Sequence, residues 1–193
     1  MLKFNKHEIY TKSNLISLFR MFLIFPTLYF LSKIGEHESY RYIVILLFFF
    51  AYLSDLLDGY FARKFNEITE FGKIIDPLAD KVFVIAVILQ LYFSDEITST
   101  YFWIILLRDI LILIGGVIVS KTIGKVLPSN LLGKMTVASI ALFLFAVIAG
   151  VKEIYILFNI LQFTSIFLSF ASIFGYGLRA YETIKWYRNN GNI

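Results

Sequence analysis

The chain contains no cysteine, which excludes disulfides, thiolate metal sites and a cysteine nucleophile, and leaves the cellular compartment open. Histidine is scarce too: only His7 and His37 occur, both outside the apolar runs, so any metal centre must draw mainly on oxygen. No apolar stretch ending in a small-residue cleavage site follows Met1-Leu2-Lys3-Phe4-Asn5-Lys6-His7, so no cleavable signal peptide is expected and the first apolar span should remain. Internal repeats and low-complexity linkers are also missing. With short connections throughout, one helical domain over residues 1–193 is the expectation.

What fills the chain instead is apolar: 59% of its residues are hydrophobic, 18% are aromatic, and the mean hydropathy is +0.75. That is far above an ordinary soluble domain and points to an integral membrane protein. Apolar runs near 14–33, 42–62, 73–94, 100–120, 131–150 and 154–178 predict six helical spans, an all-α polytopic fold in a lipid bilayer. Breaks fall at Gly35-Glu36-His37-Glu38, Asn66 to Glu70, Ser94-Asp95-Glu96, Gly124 to Pro128 and Lys152-Glu153.

Basic residues set the orientation. One set of ends carries Lys3, Lys6, Lys12, Arg63, Lys64, Lys73, Lys121, Lys125, Lys134, Arg179, Lys185 and Arg188, and the other carries Lys33, Arg41 and Lys152. This 12 to 3 bias among 18 Lys and Arg predicts both termini on the cytoplasmic side of the cell membrane. Three cations, Arg20, Lys81 and Arg108, fall inside spans. The net charge of +4 follows from this bias and needs no nucleic acid to explain it. Trp103, Trp186 and the tyrosines near span ends fit interfacial anchors.

Four aspartates stand where such a chain tolerates them least, in the pattern D-x2-D-G-x2-A-R-x8-G-x3-D-x3-D formed by Asp55, Asp58, Asp76 and Asp80. An acid inside a span costs roughly 2.5 to 3.5 kcal/mol even on lenient insertion scales, so four of them require something that neutralises them. Asp55, Asp58, Gly59 and Ala62 fall at i, i+3, i+4 and i+7 of the second span, one stripe of its face. Gly72, Asp76 and Asp80 form a matching stripe on the third, after a cytoplasmic turn. Two like charges about 4 Å apart repel by about 4 kcal/mol at an effective dielectric of 20, so convergence calls for cations. Oxygen donors favour Mg²⁺ or Mn²⁺ over zinc. Gly59 and Ala62 leave room for a ligand to approach the helix backbone, and Arg63 can pair with a phosphate as a bidentate donor. A single intramembrane acid is also commonly half of an ion pair, here with Lys81 or Arg108, and Gly59 and Gly72 also suit close helix packing. An ion- or proton-coupled transporter would carry such acids as well, although no inverted repeat with broken helices is visible.

The stretch Asp55-Leu56-Leu57-Asp58-Gly59-Tyr60-Phe61-Ala62-Arg63 followed by Gly72, Asp76 and Asp80 resembles the signature of the CDP-alcohol phosphatidyltransferases at every fixed position and both spacers. The specific part covers residues 55–80. The resemblance implies a six-helix membrane enzyme, with its active site between helices 2 and 3 near the cytoplasmic face. It would transfer a phosphatidyl group from CDP-diacylglycerol to an alcohol and release CMP. Carried over residue by residue, Asp55, Asp58 and Asp76 would hold two divalent cations, and Asp80 would complete the site and act as general base. Asp55, Gly59, Ala62, Arg63 and Gly72 would line the CDP pocket, and a homodimer is implied.

The acceptor is read from other residues. Asp76-Pro77-Leu78-Ala79-Asp80-Lys81 resembles the form found in the branches of the family that make phosphatidylglycerophosphate and cardiolipin. Asn14-Leu15-Ile16-Ser17-Leu18-Phe19-Arg20, with Pro26, resembles the N-x-x-T-x-x-R start of the same group, with Ser17 in place of threonine. Glycerol 3-phosphate is the expected acceptor, and its phosphate requires cations, for which Arg108 and Lys134 are the candidates. Two departures keep phosphatidylglycerol, and hence cardiolipin synthesis, as the alternative. Leu107-Arg108-Asp109 stands where a serine-arginine-glutamate segment is common, and Gly133-Lys134-Met135-Thr136 lacks a second lysine.

Overall fold

A computed structural model describes residues 12–64, 72–123, 130–151 and 155–189, and every regular element among them is helical. The helices are α1 (Lys12–Ser32), α2 (Ser39–Lys64), α3 (Gly72–Phe93), α4 (Ser99–Ile123), α5 (Leu131–Ile148) and α6 (Ile156–Asn189). Three of them, α4, α5 and α6, are long and apolar enough to cross a membrane by length and composition. The apolar stretches of the first three are Leu18–Ser32, Ser39–Ser54 and Lys81–Phe93. Of the basic residues that set the expected orientation, Lys3, Lys6, Lys125 and Lys152 lie outside the described residues, as does His7.

Exposure on α6 is inverted relative to a water-soluble helix. Phe163, Phe167, Phe170 and Phe174 are between 57% and 75% exposed, whereas Ser165, Ser169 and Ser172 on another face are fully buried. Large apolar groups outside and small polar ones between helices is how a chain packs when its surroundings are lipid. The protein is a membrane protein.

The chain divides into two compact units, residues 1–96 and 97–193. In the first, α1 packs along both α2 and α3. Pro26 lies inside α1 and has no N–H to give the Phe22 carbonyl, while the buried Thr27 hydroxyl bonds the Leu23 carbonyl at 2.7 Å. Helices α2 and α3 run antiparallel. Arg41 near the start of α2 pairs with Glu96 just beyond α3 at 3.0 Å, and the Phe48 and Phe83 rings meet edge-on with centroids 5.3 Å apart.

Local contacts close the turns after α1, α3 and α5. Lys33 pairs with Glu36 at 2.6 Å after α1; that hydrogen bond and charge raise the Lys33 pKa above its ordinary value, and so exposed a pair adds little stability. After α3, Glu96 N–H bonds Leu91 O and Asp95 N–H bonds Tyr92 O, the double bond of a Schellman cap, with Asp95 at φ 55°. The same cap ends α5, where Val151 bonds Ala146 O, Gly150 bonds Val147 O, and Gly150 takes φ 82°. One cap uses the residue suited to the left-handed region and the other does not. Asp95→Gly should therefore raise stability by about 0.5 to 1 kcal/mol, read as a higher midpoint of thermal unfolding in detergent.

In the second unit, α6 packs along both α4 and α5. Tyr101 Oη lies 3.0 Å from Ser165 Oγ, and Arg108 Nε donates to Ser172 Oγ at 3.1 Å. Each contact is one heptad from the other on both helices, so α4 and α6 run parallel. Helix α5 runs antiparallel to them. Its Thr136 Oγ1 lies 2.8 Å from Leu132 O in its own helix and 3.1 Å from Leu168 O of α6, while Phe143 packs on Tyr101 and Phe158 near the other end. Helix α5 meets α6 tightly at glycine: a Cβ on Gly133 would meet Tyr176 Oη at 2.8 Å.

Candidate active site

All eight signature positions lie on two helices, Asp55, Asp58, Gly59, Ala62 and Arg63 on α2 and Gly72, Asp76 and Asp80 on α3. Their side chains are outside the described residues, as are those of Asn14 and Ser17 on α1. The backbone still fixes their levels. Asp55 is one heptad beyond Phe48, and Asp76 one heptad before Phe83, so in this antiparallel pair the ring contact puts positions 55 and 76 at similar heights. Position 58 lies most of a turn further toward the end of α2, and position 80 about one turn further along α3, toward Phe83. Among the described residues no group of three or more His, Asp, Glu or Cys forms a metal site.

Arg20 is a described cation close to this level. It is 2% exposed, and its Nε donates to Ser54 Oγ at 3.3 Å, one residue before Asp55. Ser54 Oγ in turn donates to Ala51 O at 2.7 Å, so the hydroxyl is oriented to receive the guanidinium. The N-terminal pattern pointed to Arg20 as a motif residue, but nothing in the sequence named Ser54 as its partner across 34 residues. Ser54→Ala removes that acceptor from a buried charged donor and should lower stability by about 1 to 3 kcal/mol, measured by thermal unfolding in micelles.

Lys81, considered as an ion-pair partner for the acids, is exposed on α3. The two candidate phosphate cations, Arg108 and Lys134, both lie in the second unit. Arg108 is 6% exposed on α4, and besides Ser172 it bonds Asp109 Oδ1 of the next residue through Nη1. The guanidinium has five N–H donors, and these contacts occupy two of them. Lys134 is exposed in the first turn of α5, whose N-cap is Asn130, its side chain accepting from Gly133 N–H at 2.7 Å. Gly133 is level with Tyr176 and Thr136 with Leu168, so Lys134 stands near the Ser172 level of α6. The two cations are thus at similar heights along α6. Ser172 and Asp109 were not foreseen as partners of Arg108; the signal was the recurrence of 7-residue spacing in Tyr101, Arg108 and in Ser165, Ser172.

Comparison with known proteins identifies the family. The family model described as CDP-alcohol phosphatidyltransferase matches residues 10–175, which spans both units. A relative from Aquifex aeolicus (strain VF5), named CDP-diacylglycerol–glycerol-3-phosphate 3-phosphatidyltransferase, is 38% identical over 179 residues, covering 89% of this chain and 96% of its own. A protein of the same name from Mycoplasma pneumoniae is 33% identical over 137 residues, 63% of this chain and 60% of that one. One from Bacillus subtilis (strain 168) is 38% identical over 90 residues, 47% of this chain and 46% of its own. With a family match along most of its length and the full acid signature on α2 and α3, the chain belongs to the CDP-alcohol phosphatidyltransferase family.

Proposed function

We propose that this protein transfers the phosphatidyl group of CDP-diacylglycerol to glycerol 3-phosphate, giving phosphatidylglycerophosphate and CMP. The observation that carries the reading is the 38% identity, over nearly the full length of both chains, to a relative that bears that name. The relatives' names favour glycerol 3-phosphate over phosphatidylglycerol as acceptor.

The family is generally dependent on divalent cations, and the donor set here suits them: four carboxylates, no cysteine, and no histidine among the signature residues. Asp55, Asp58 and Asp76 would hold two of them, Mg²⁺ or Mn²⁺, with Asp80 completing the set. Such ions supply positive charge to pyrophosphate oxygens that gain negative charge as the bond to CMP breaks. Asp80 accepts the proton of the acceptor hydroxyl while its oxygen bonds to the phosphatidyl phosphorus, and CMP leaves with the bonding electron pair. Gly59, Ala62 and Gly72 keep the helix surfaces open to the nucleotide, and Arg63 holds its phosphate. Arg108 and Lys134 hold the phosphate of glycerol 3-phosphate.

In this reading all six helices cross the cell membrane as one domain, with both termini and the acids toward the cytoplasm and a homodimer as the working form. A chain without native cysteine suits a direct test of orientation. A single cysteine at Lys64 should be shielded from an impermeant thiol reagent in intact cells, and one at Glu96 should react; the opposite pattern would reverse the orientation. The reaction is tested with purified protein, labelled CDP-diacylglycerol, Mg²⁺ or Mn²⁺ and a panel of acceptors. Glycerol 3-phosphate should give a labelled phosphorylated lipid and CMP, and consumption of phosphatidylglycerol alone would replace the proposal with cardiolipin synthesis.

A further inference from the structure

Arg108 is buried and charged, and among the described residues it has only two hydrogen-bond partners. Ser172 Oγ takes its Nε–H and Asp109 takes one Nη1–H, and among the described residues no acceptor meets the other three N–H groups. Buried donors of a cation left unbonded are costly, and an anionic ligand would satisfy them. What holds the fork in place is less obvious than the charge itself. Asp109 is 56% exposed and adjacent in sequence, which makes it a weak constraint, whereas Ser172 is 0% exposed on a different helix. The Ser172 hydroxyl hydrogen is already committed to Ser169 O at 2.8 Å, so its oxygen can only accept, and it does so from Nε. The serine cannot turn away without losing both bonds.

We propose that Ser172 is a positioning residue for the acceptor site, fixing the Arg108 guanidinium so that its unbonded N–H groups present a bidentate edge to the phosphate of the acceptor. This rests on the assignment of Arg108 to that phosphate under the proposed function. A planar fork binds two phosphate oxygens only at one orientation, and a tether at Nε sets that orientation because Nε lies opposite the edge formed by the two Nη groups. The remaining rungs of the α6 face serve as an internal control. Ser165 is as buried as Ser172 and bonds Gln162 O at 2.8 Å and Tyr101 Oη at 3.0 Å, but it does not touch Arg108.

The test is steady-state kinetics of the full-length protein in mixed micelles, with KM measured separately for glycerol 3-phosphate and CDP-diacylglycerol. Ser172→Ala should raise the glycerol 3-phosphate KM by roughly 10-fold, the scale of one hydrogen bond to a charged group, and leave the CDP-diacylglycerol KM within about twofold. Ser165→Ala should leave both KM values unchanged even where it lowers the unfolding temperature. If Ser172→Ala impairs folding, the equal-shape pair Ser172→Thr and Ser172→Val replaces it, and the valine variant should show the higher acceptor KM. Equal effects of Ser165→Ala and Ser172→Ala would reduce Ser172 to a structural rung. An unchanged acceptor KM in Ser172→Ala beside a raised one in Arg108→Gln would overturn the positioning role alone. An unchanged value in Arg108→Gln as well would overturn the phosphate assignment on which it rests.

Discussion

Asp80→Asn should lower turnover by about 10²- to 10⁴-fold while CDP-diacylglycerol binding persists, and Asp55→Asn, Asp58→Asn and Asp76→Asn should each abolish cation-dependent turnover. The difference follows from the two jobs assigned to the acids. Asparagine keeps the size of aspartate and one oxygen, but cannot accept a proton at neutral pH, so at position 80 the loss falls on the chemical step. At 55, 58 and 76 the lost charge falls on cation affinity instead, and the remaining acids and the pyrophosphate then repel without compensation. Raising Mn²⁺ should partly recover the last three variants and leave Asp80→Asn unchanged. Full turnover in Asp80→Asn would remove it as the base, and a cation-independent wild type would remove the metal site.

The helices themselves were largely legible. Six apolar runs predicted six helices, and each run has its helix within a few residues, except at the end of α6. There hydropathy fell away near residue 178, but the helix continues to Asn189. Apolarity reports where lipid ends, whereas helix formation needs only residues that tolerate the backbone, and Arg179, Glu182 and Lys185 do so readily. At 34 residues α6 is about 51 Å long at 1.5 Å per residue, well beyond a hydrocarbon core of about 30 Å. Its basic and aromatic end, with Trp186 exposed, is what a helix leaving the bilayer presents.

The helices that carry the candidate acids were legible where those residues stand close together in sequence. D-x2-D-G-x2-A-R carries a spacing that a helix turns into one stripe, and the Phe48 to Phe83 contact then brings positions 55 and 76 level. What escaped was the polar support between helices. Ser54, Ser165 and Ser172 sit in apolar runs as small residues that any membrane helix tolerates. Their meaning comes from Arg20, Tyr101 and Arg108, which lie 34 or 64 residues away. Periodicity along one helix shows which residues share a face, and it cannot show which face of another helix will meet them. A buried arginine in a lipid-facing protein requires a polar partner, and Arg20 and Arg108 each have a serine on another helix.

Arg108→Gln should raise the KM for glycerol 3-phosphate steeply, by roughly 10- to 100-fold, and leave that for CDP-diacylglycerol nearly unchanged, because each charge-assisted contact to a phosphate is worth roughly 1.5 to 3 kcal/mol. Lys134→Gln should act in the same direction but less strongly. Arg108 is buried and tethered, so its attraction for an anion is little screened, whereas the Lys134 ammonium is exposed on a flexible stem and shares its charge with water. The two effects should combine more weakly than they add if both cations hold one phosphate, since the phosphate relaxes toward whichever remains. Salt separates them further: raising ionic strength should weaken the contribution of Lys134 and spare that of Arg108. Loss of both substrates to the same extent in Arg108→Gln would mean that the arginine serves as the α4 to α6 tie alone. In that case the three N–H groups that have no acceptor among the described residues would need another ligand, since unbonded donors on a cation this buried are costly.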